Sequence, residues 1–318
     1  MARPWLSVLM PVHNGANYLR VAMDSILLQR DSEIEVIALD DGSTDETPQI
    51  LEAYRDRLNL VVRRRDPNGD WPSAVNCAMG LASGKYQCWL HHDDAWEHGR
   101  LAVLKDYIAR WPEAVMVLHP SWFMSADGRR FGQWRCPLPS NRALEPAFVV
   151  RRLLVQNFAA APAPLYKSQV VTVTGRLDER LWYTADWDFW LRVTGAGPTV
   201  YCPTPLACYR IHATSMTTRR TADSDALRRQ YELVLSQYFS DQDGQSQQWT
   251  DVATIARFSA LANIQLATWA AGDKRALRSL VRPFLRLGFR GWWSYLRDSR
   301  IRERAWNRIR VGALSSKQ

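Results

Sequence analysis

An α/β fold with a mixed, mainly parallel sheet, helices on both of its faces and a helical C-terminal extension is predicted by three features of the 318-residue sequence. Short apolar runs alternate with amphipathic segments from Leu6 to Leu90, the pattern of successive strand–helix units. The strand runs that open into loops end in polar clusters, where open parallel sheets bind ligands. From about Thr221 the strand pattern stops and only helical spacing remains.

Taken in order, Leu6-Ser7-Val8-Leu9-Met10-Pro11-Val12 reads as a buried strand stopped by the turn His13-Asn14-Gly15. Tyr18, Leu19, Ala22, Met23, Ile26 and Leu27 then recur at helical spacing. Residues 34–39 form a second strand, Asp40-Asp41-Gly42-Ser43 a polar turn, and Thr44 opens a helix running to Tyr54 with Pro48 in its first turns. A strand at 60–62, a helix between Ser73 and Ala82, and a fourth strand at 86–90 complete the parallel half. Beyond a helix at 100–110 the pattern changes: residues 115–118 are a strand, and Asp127-Gly128 turns a hairpin between Phe123-Met124 and Phe131. The sheet is therefore mixed. A catalytic domain over 1–220 and a helical, Arg- and Trp-rich region over 221–318 are expected. The second region would hold helices at 251–271 and 275–287 and a closing Arg-studded helix to about Val311, after a polar break at 240–245.

With 47% hydrophobic residues the chain has the material for a large core and is not a disordered one. Its 41 Lys+Arg against 32 Asp+Glu give a net charge of +9, a balance that suits phosphate-bearing substrates, anionic lipid or nucleic acid. The five cysteines form no CxxC pair, so a disulfide framework or zinc knuckle is not expected. The N-terminal apolar run is too short for an export signal, and no stretch approaches the roughly 20 apolar residues of a spanning helix. The expected location is cytoplasmic, peripheral on the inner face of a membrane.

Three clusters carry chemistry. His91-His92-Asp93-Asp94 follows the fourth strand, and adjacent carboxylates are most often held together by a divalent cation; oxygen and imidazole ligands suit Mn²⁺ or Mg²⁺. The plain alternative is a loop using Asp as turn and cap residues. In Trp182-Tyr183-Thr184-Ala185-Asp186-Trp187-Asp188-Phe189-Trp190, Asp186 stands where a helix starts, among large aromatics of the kind on which sugar rings stack. A general base there competes with an N-cap reading. Tyr209-Arg210-Ile211-His212 delivers His212 before a Ser/Thr-rich loop, as a metal ligand, a pyrophosphate contact or a plain surface histidine.

In register from Ser7 to about Met216, these residues resemble the family 2 inverting glycosyltransferases, which have the GT-A fold. Ser7 through Asn14 resembles the family's first strand and loop, implying that Pro11, Val12, His13 and Asn14 hold the nucleotide base. Leu39-Asp40-Asp41-Gly42-Ser43-Thr44-Asp45 resembles its most recognisable stretch, which implies that Asp41 hydrogen-bonds the base, most often uracil. Asn68-Gly69 to Asn76, then Ala82-Ser83-Gly84-Lys85-Tyr86, follow the family's spacing. Gly175-Arg176-Leu177-Asp178-Glu179 is similar to its acceptor-side turn. By the same resemblance Asp186 falls on the catalytic base, Asp93 and Asp94 on the surviving carboxylates of the metal motif, with Asp93 also a donor contact, and Tyr209-Arg210-x-His212 on a motif closing the domain; His91 and His212 complete the expected metal ligands. His91 replaces the first Asp of the usual Asp-x-Asp-Asp, Ala185 replaces the Glu that commonly precedes the base, and no Arg stands in 70–75. The implied reaction is sugar transfer from a nucleoside diphosphate sugar, UDP-linked, to a hydroxyl of a glycan or polyprenyl-linked acceptor.

Between Arg275 and Arg310 the sequence interleaves Arg278, Arg282, Arg286, Arg290, Arg297, Arg300, Arg302, Arg304 and Arg308 with Leu285, Phe289, Trp292, Trp293, Tyr295, Leu296, Ile301 and Trp306. This pattern fits a helix lying in an anionic headgroup layer, or one packed by its aromatic face. Other readings are a catalytically silent relative that binds nucleotide sugar and a basic nucleic-acid-binding protein. The acidic site clusters argue against specific nucleic-acid binding. A nucleotidyltransferase or dinucleotide enzyme lacks its Gly-rich phosphate loop here.

Overall fold

The computed structural model describes residues 3–67, 69–212, 214–215, 223–239, 247–270, 272–301 and 303. The chain divides into two compact units, one made of Met1–Pro146 with Ala159–Arg210 and the other of Ala147–Phe158 with Ile211–Gln318. The expected boundary at 220/221, Asn68, Met216, and the tail residues Arg302, Arg304, Trp306, Arg308, Arg310 and Val311 lie outside the described residues.

In the first unit β1 (Leu6–Val12) and β2 (Ile34–Asp40) are buried along their whole length. This is what their mainly apolar character requires of parallel strands covered on both faces. With β3 (Asn59–Arg64) and β4 (Tyr86–Trp89) they form four parallel neighbours in the order β3-β2-β1-β4. The helices α1 (Leu19–Leu27), α2 (Thr47–Glu52) and α3 (Trp71–Leu81) connect them. Next come β5 (Ala95–Trp96), α4 (Arg100–Arg110), β6 (Met116–Leu118), β7 (Ser121–Met124), β8 (Arg130–Trp134) and β9 (Ala143–Leu144). After α5 (Pro146–Val155) the chain continues through β10 (Leu165–Lys167), α6 (Val170–Thr174), α7 (Ala185–Gly195), β11 (Thr199–Tyr201) and β12 (Ala207–Arg210).

The large sheet runs β3-β2-β1-β4-β10-β6-β11-β9, with β10 antiparallel to both of its neighbours, and a smaller sheet runs β5-β12-β7-β8. The mixed, mainly parallel sheet read from the sequence is therefore present, as is the hairpin at Asp127-Gly128, where Gly128 takes the left-handed φ of 87° that its turn requires. The helix expected from Thr44 begins only at Thr47. Its first residues are diverted into a loop, because the Thr44 N–H donates to Asn14 Oδ1 and the Asp45 carboxylate accepts from the Ala16 and Thr47 N–H groups.

At the amino ends of the central strands a buried Glu35 collects the Ser83 and Gly84 N–H groups at 2.7 and 2.9 Å, the Ser83 hydroxyl at 2.9 Å and the Ser7 hydroxyl at 2.5 Å. The Ser83-Gly84 stretch thus serves the sheet rather than the site. Gly84 lies so close that a Cβ would stand 2.6 Å from the Ser7 backbone nitrogen.

In the second unit α5 packs with α8 (Ser224–Tyr238), α9 (Gln247–Ala270), a 3₁₀ turn at Ala276–Leu280, α10 (Val281–Arg286) and α11 (Gly288–Ser299). Val155, Ile255, Phe258, Ala262 and Tyr295 form its core. Polar ties accompany them: Arg152 pairs with the buried Asp298 at 2.6 Å, and Gln156 Oε1 accepts from Asn263 at 3.0 Å. The single helix expected over 275–287 is instead a 3₁₀ turn and a short helix, since Pro283 cannot donate to the ladder and Gly288, at φ 64°, starts α11 on a new axis.

Gly84→Ala is expected to destabilise the fold by about 1–3 kcal/mol through overpacking against backbone. The urea midpoint should fall with the slope of the transition unchanged.

Candidate functional site

The carboxyl ends of β1, β2 and β4 bring three loops together, and their hydrogen bonds explain why these residues recur at these places. After β1, Asn14 adopts a left-handed φ of 47° and ties the first loop to the second: its N–H donates to Ser43 Oγ at 2.9 Å, and its Oδ1 accepts the Thr44 N–H at 2.8 Å. His13 Nδ1 lies 2.8 Å from the Asp41 carbonyl oxygen, which can only accept, so the proton sits on Nδ1. Nε2 is then the acceptor for the Asn14 amide at 3.2 Å. Pro11 and Val12 are buried within β1, and the Val12 carbonyl takes the Asp41 N–H at 2.8 Å. Gly42 turns the second loop at φ 72°, and a Cβ there would meet Pro67 Cδ at 2.6 Å.

Asp41, whose carboxylate the resemblance assigns to the base, is held from below. Arg65 Nε donates to its Oδ1 at 2.6 Å and the Gly69 N–H to its Oδ2 at 2.8 Å. Arg65 also reaches Ser73 Oγ and the Asp70 carbonyl, fixing the entry to α3. Sequence reasoning gave Arg65 no part. It follows β3 at the end of an Arg63-Arg64-Arg65 run that reads as a solvated strand end, and its bonds to Asp41, Ser73 and Asp70 are what turn it inward.

The third loop follows β4. Ligand atoms of His91, Asp93 and Asp94 all lie within 4.8 Å of one another. Asp94 is 1% exposed; its Oδ1 accepts the Arg210 N–H at 2.9 Å, while Oδ2 is buried without a hydrogen-bond partner. Burial first and the neighbouring Asp93 second push its carboxyl well above the usual 3.8. His91 Nε2 is likewise buried and unpartnered, and burial holds this imidazole down to about 4, so it is neutral at pH 7. A buried carboxylate oxygen and a buried neutral imidazole nitrogen, both unsatisfied, on residues whose ligand atoms lie this close together are a donor set that a divalent cation would complete. The residues present therefore fit a hard or borderline metal. A cap-and-turn role would leave no reason to bury Asp94 Oδ2 unpaired.

Arg210 is the second residue whose part was missed. Buried at the end of β12, its N–H takes Asp94, its Nε donates to the Asp93 carbonyl at 2.7 Å, and its guanidinium reaches the Ser125 and Ala126 carbonyls and lies over the Tyr18 ring. An Arg directly after Ala207-Cys208-Tyr209 on a buried strand was the available signal, since such a cation must find partners. His92 joins the loops: a Cβ on Gly15 would stand 2.8 Å from its ring.

Asp186 lies in the first turn of α7, half-buried, with its Oδ1 accepting the Trp187 N–H at 2.7 Å. Trp71 spans from the third loop towards it. The Trp71 ring meets His91 edge-on at 5.5 Å, and its indole N–H donates to the Trp182 carbonyl at 2.7 Å. Of the aromatics in the 182–190 segment, Trp182 and Tyr183 are partly open. Trp187, Phe189 and Trp190 are buried, with Trp190 against Trp89 at 4.2 Å. Asp188 is a structural residue, 1% exposed and ion-paired with Arg192 at 2.6 Å. Asn76 of α3 clamps the Gly175–Glu179 turn: its Oδ1 accepts the Leu177 N–H, and its amide donates to the Leu177 carbonyl and Glu179. His212 belongs to the second unit, where its Nδ1 lies 2.9 Å from Thr214 Oγ1.

Residues 7–161 match the family model described as Glycosyl transferase family 2. Over 215 residues the chain is 29% identical to an uncharacterized glycosyltransferase of Rickettsia prowazekii, covering 67% of this chain and 66% of that protein. A second uncharacterized glycosyltransferase, from Rickettsia felis, is 26% identical over 66% of this chain and 35% of its own length. The chain thus spans two thirds or less of these relatives. Its fold is similar to S. aureus TarS 1-349 solved in complex with UDP-GlcNAc, with a TM-score of 0.64 and 17% identity over 95% of this chain and 91% of that one. It is also similar to the mannosyltransferase PcManGT of Pyrobaculum calidifontis in complex with GDP-Man and Mn²⁺, with a TM-score of 0.57 and 16% identity over 94% and 86%. With its mainly parallel sheet and its loop clusters at the strand ends the chain has the GT-A fold, and its residues 7–161 match glycosyl transferase family 2.

Proposed function

We propose that this protein transfers a sugar from a nucleoside diphosphate sugar, UDP-linked, to a hydroxyl of a glycan or lipid-linked glycan, with inversion at the anomeric carbon. The observation that carries the reading is the convergence of His91, Asp93 and Asp94 on one small volume, with two buried donor atoms left unsatisfied. The neighbours solved with UDP-GlcNAc, and with GDP-Man and Mn²⁺, support it.

The base would lie in the groove between the first two loops. Asp41, fixed by Arg65 and the Gly69 N–H, presents a carboxylate there, an acceptor that suits the N3–H of uracil. Asn14 and His13 hold the two loops at fixed separation. His91, Asp93 and Asp94 would ligate Mn²⁺ or Mg²⁺, which when bound supplies the positive charge that a departing diphosphate needs. Arg210 keeps Asp93 and Asp94 in place without spending its own charge on the donor. Asp186 takes the proton of the attacking hydroxyl, and Trp182 and Tyr183 offer partly open ring faces for the acceptor sugar. Nothing in this scheme requires His212.

The defining experiment is incubation of the purified protein with a panel of nucleotide sugars, with and without Mn²⁺, scoring released nucleoside diphosphate. Metal-dependent release from one donor is expected. Silence across the panel, with no thermal shift by UDP or GDP, would remove the reading.

Three further outcomes follow from the geometry. Asp186→Asn should lower transfer by about 10²–10⁴-fold while leaving the donor Kd within a few-fold, measured by initial rates and calorimetry; retained turnover would exclude Asp186 as the base. Because an imidazole ligand favours Mn²⁺ over Mg²⁺, His91→Asp should raise the Mg²⁺-supported rate relative to the Mn²⁺-supported one. Metal affinity should climb with pH. Asp94, raised above 3.8, must lose its proton to bind, whereas His91, held near 4, is already neutral above that value. Mn²⁺ titrations followed by electron paramagnetic resonance should show this slope in the wild type and lose most of it in Asp94→Asn.

A further inference from the structure

The aromatic-rich C-terminal segment of the second unit divides its side chains between two jobs. Tyr295 is buried against Phe258 at 4.8 Å, and Trp292 stacks on Phe284 at 5.4 Å while its indole N–H donates to the Phe284 carbonyl. These residues hold α10 and α11 to the core formed by α5 and α9. On α10 and α11 a second apolar set faces outward. Val281 and Leu285 are four residues apart, and Phe289, Trp293 and Leu296 are spaced by four and three, so each set lines one face of its helix. Their exposures are large for such side chains, 84% for Phe289 and 62% for Trp293. A run of five exposed large apolar residues on two short helices is not the scatter normal to a soluble surface.

The charge beside this face selects its partner. From Lys274 to Arg297 the sequence carries seven basic residues and no acidic one. Arg278, Arg282, Arg286 and Arg290 are exposed, the last three each directly after an outward apolar residue, Val281, Leu285 and Phe289, while Arg297 lies over the Trp293 ring at 4.6 Å. The acid next in sequence, Asp298, is buried and neutralised by Arg152 and Arg297. No helix among the described residues is long and apolar enough to cross a membrane. Apolar side chains flanked by unopposed arginines suit the plane between acyl chains and anionic headgroups.

We propose that α10 and α11 dock this unit onto an anionic lipid surface, with Val281, Leu285, Phe289, Trp293 and Leu296 entering the acyl boundary and Arg278, Arg282, Arg286 and Arg290 meeting lipid phosphates. A second copy of the chain is disfavoured as the occupant, because apposed faces would bring like-charged arginine rows together. The surface is independent of sugar transfer, and its test uses no activity.

The test is flotation of the full chain with vesicles of phosphatidylcholine alone or with added phosphatidylglycerol, alongside Phe289→Ser/Trp293→Ser and Arg282→Gln/Arg286→Gln/Arg290→Gln variants whose circular dichroism matches the parent. Flotation with the anionic vesicles only, reduced at least tenfold in the apolar variant and about a hundredfold in the arginine variant, is the expected result. Failure of the intact chain to float with anionic vesicles would overturn the proposal, as would equal flotation of the parent and both variants. A concentration-dependent dimer that the apolar variant abolishes, without vesicle binding by the parent, would assign the face to a second copy and overturn it too.

Discussion

Burial of Asp94 beside Asp93 at the end of β4 is the electrostatic demand around which the first unit is arranged. A carboxylate taken out of water next to another acid raises its proton affinity unless positive charge or hydrogen-bond donors are supplied, and the protein supplies only part of what is needed. Arg210 gives Asp94 one backbone donor and turns its guanidinium to carbonyls of the 93 and 125–126 loops, leaving Asp94 Oδ2 unsatisfied. The small sheet exists in part to deliver that arginine: β12 pairs with β5, directly after Asp94, and with β7, directly before Ser125. A cation at His91, Asp93 and Asp94 would meet the remaining demand, which is why the proposed donor site and the stability of this loop are one problem.

The neighbouring loops follow the same economy of polar groups. Asp41 is fixed by Arg65 and Gly69, and Asn14 and Ser43 tie the first two loops across 29 positions of sequence. At the opposite end of the sheet Glu35 gathers Ser7, Ser83 and Gly84. Motif residues in one family stretch therefore do different work. Asp41 opens towards the candidate site, whereas Ser7 and Gly84 close the sheet's amino edge.

Much of this was legible in the sequence, for identifiable reasons. The buried parallel strands declared themselves as mainly apolar runs, and Gly128 and Gly42 marked turns that need a left-handed backbone. Local bonds set limits on that legibility. Thr44 looked like a helix start until Asn14, thirty residues away, took its N–H. Arg65 and Arg210 look like surface charge in one dimension, because their partners Asp41, Asp93 and Asp94 are distant in sequence. Trp292 and Tyr295 could not be separated from Trp293 by spacing alone, since the turn at Gly288 decides which face meets the core. The segment 147–158 looked like part of the catalytic stretch, yet it packs with helices some hundred residues further on, through Arg152–Asp298 and Gln156–Asn263.

We propose that His91, Asp93 and Asp94 form the metal-bearing end of a nucleotide-sugar site. Anomalous diffraction from crystals grown with Mn²⁺ and UDP tests it most directly. One manganese peak bonded to side-chain atoms of this trio and to the diphosphate, with the uracil beside Asp41, is the expected result. A nucleotide bound elsewhere, or manganese bound away from all three residues, would contradict it.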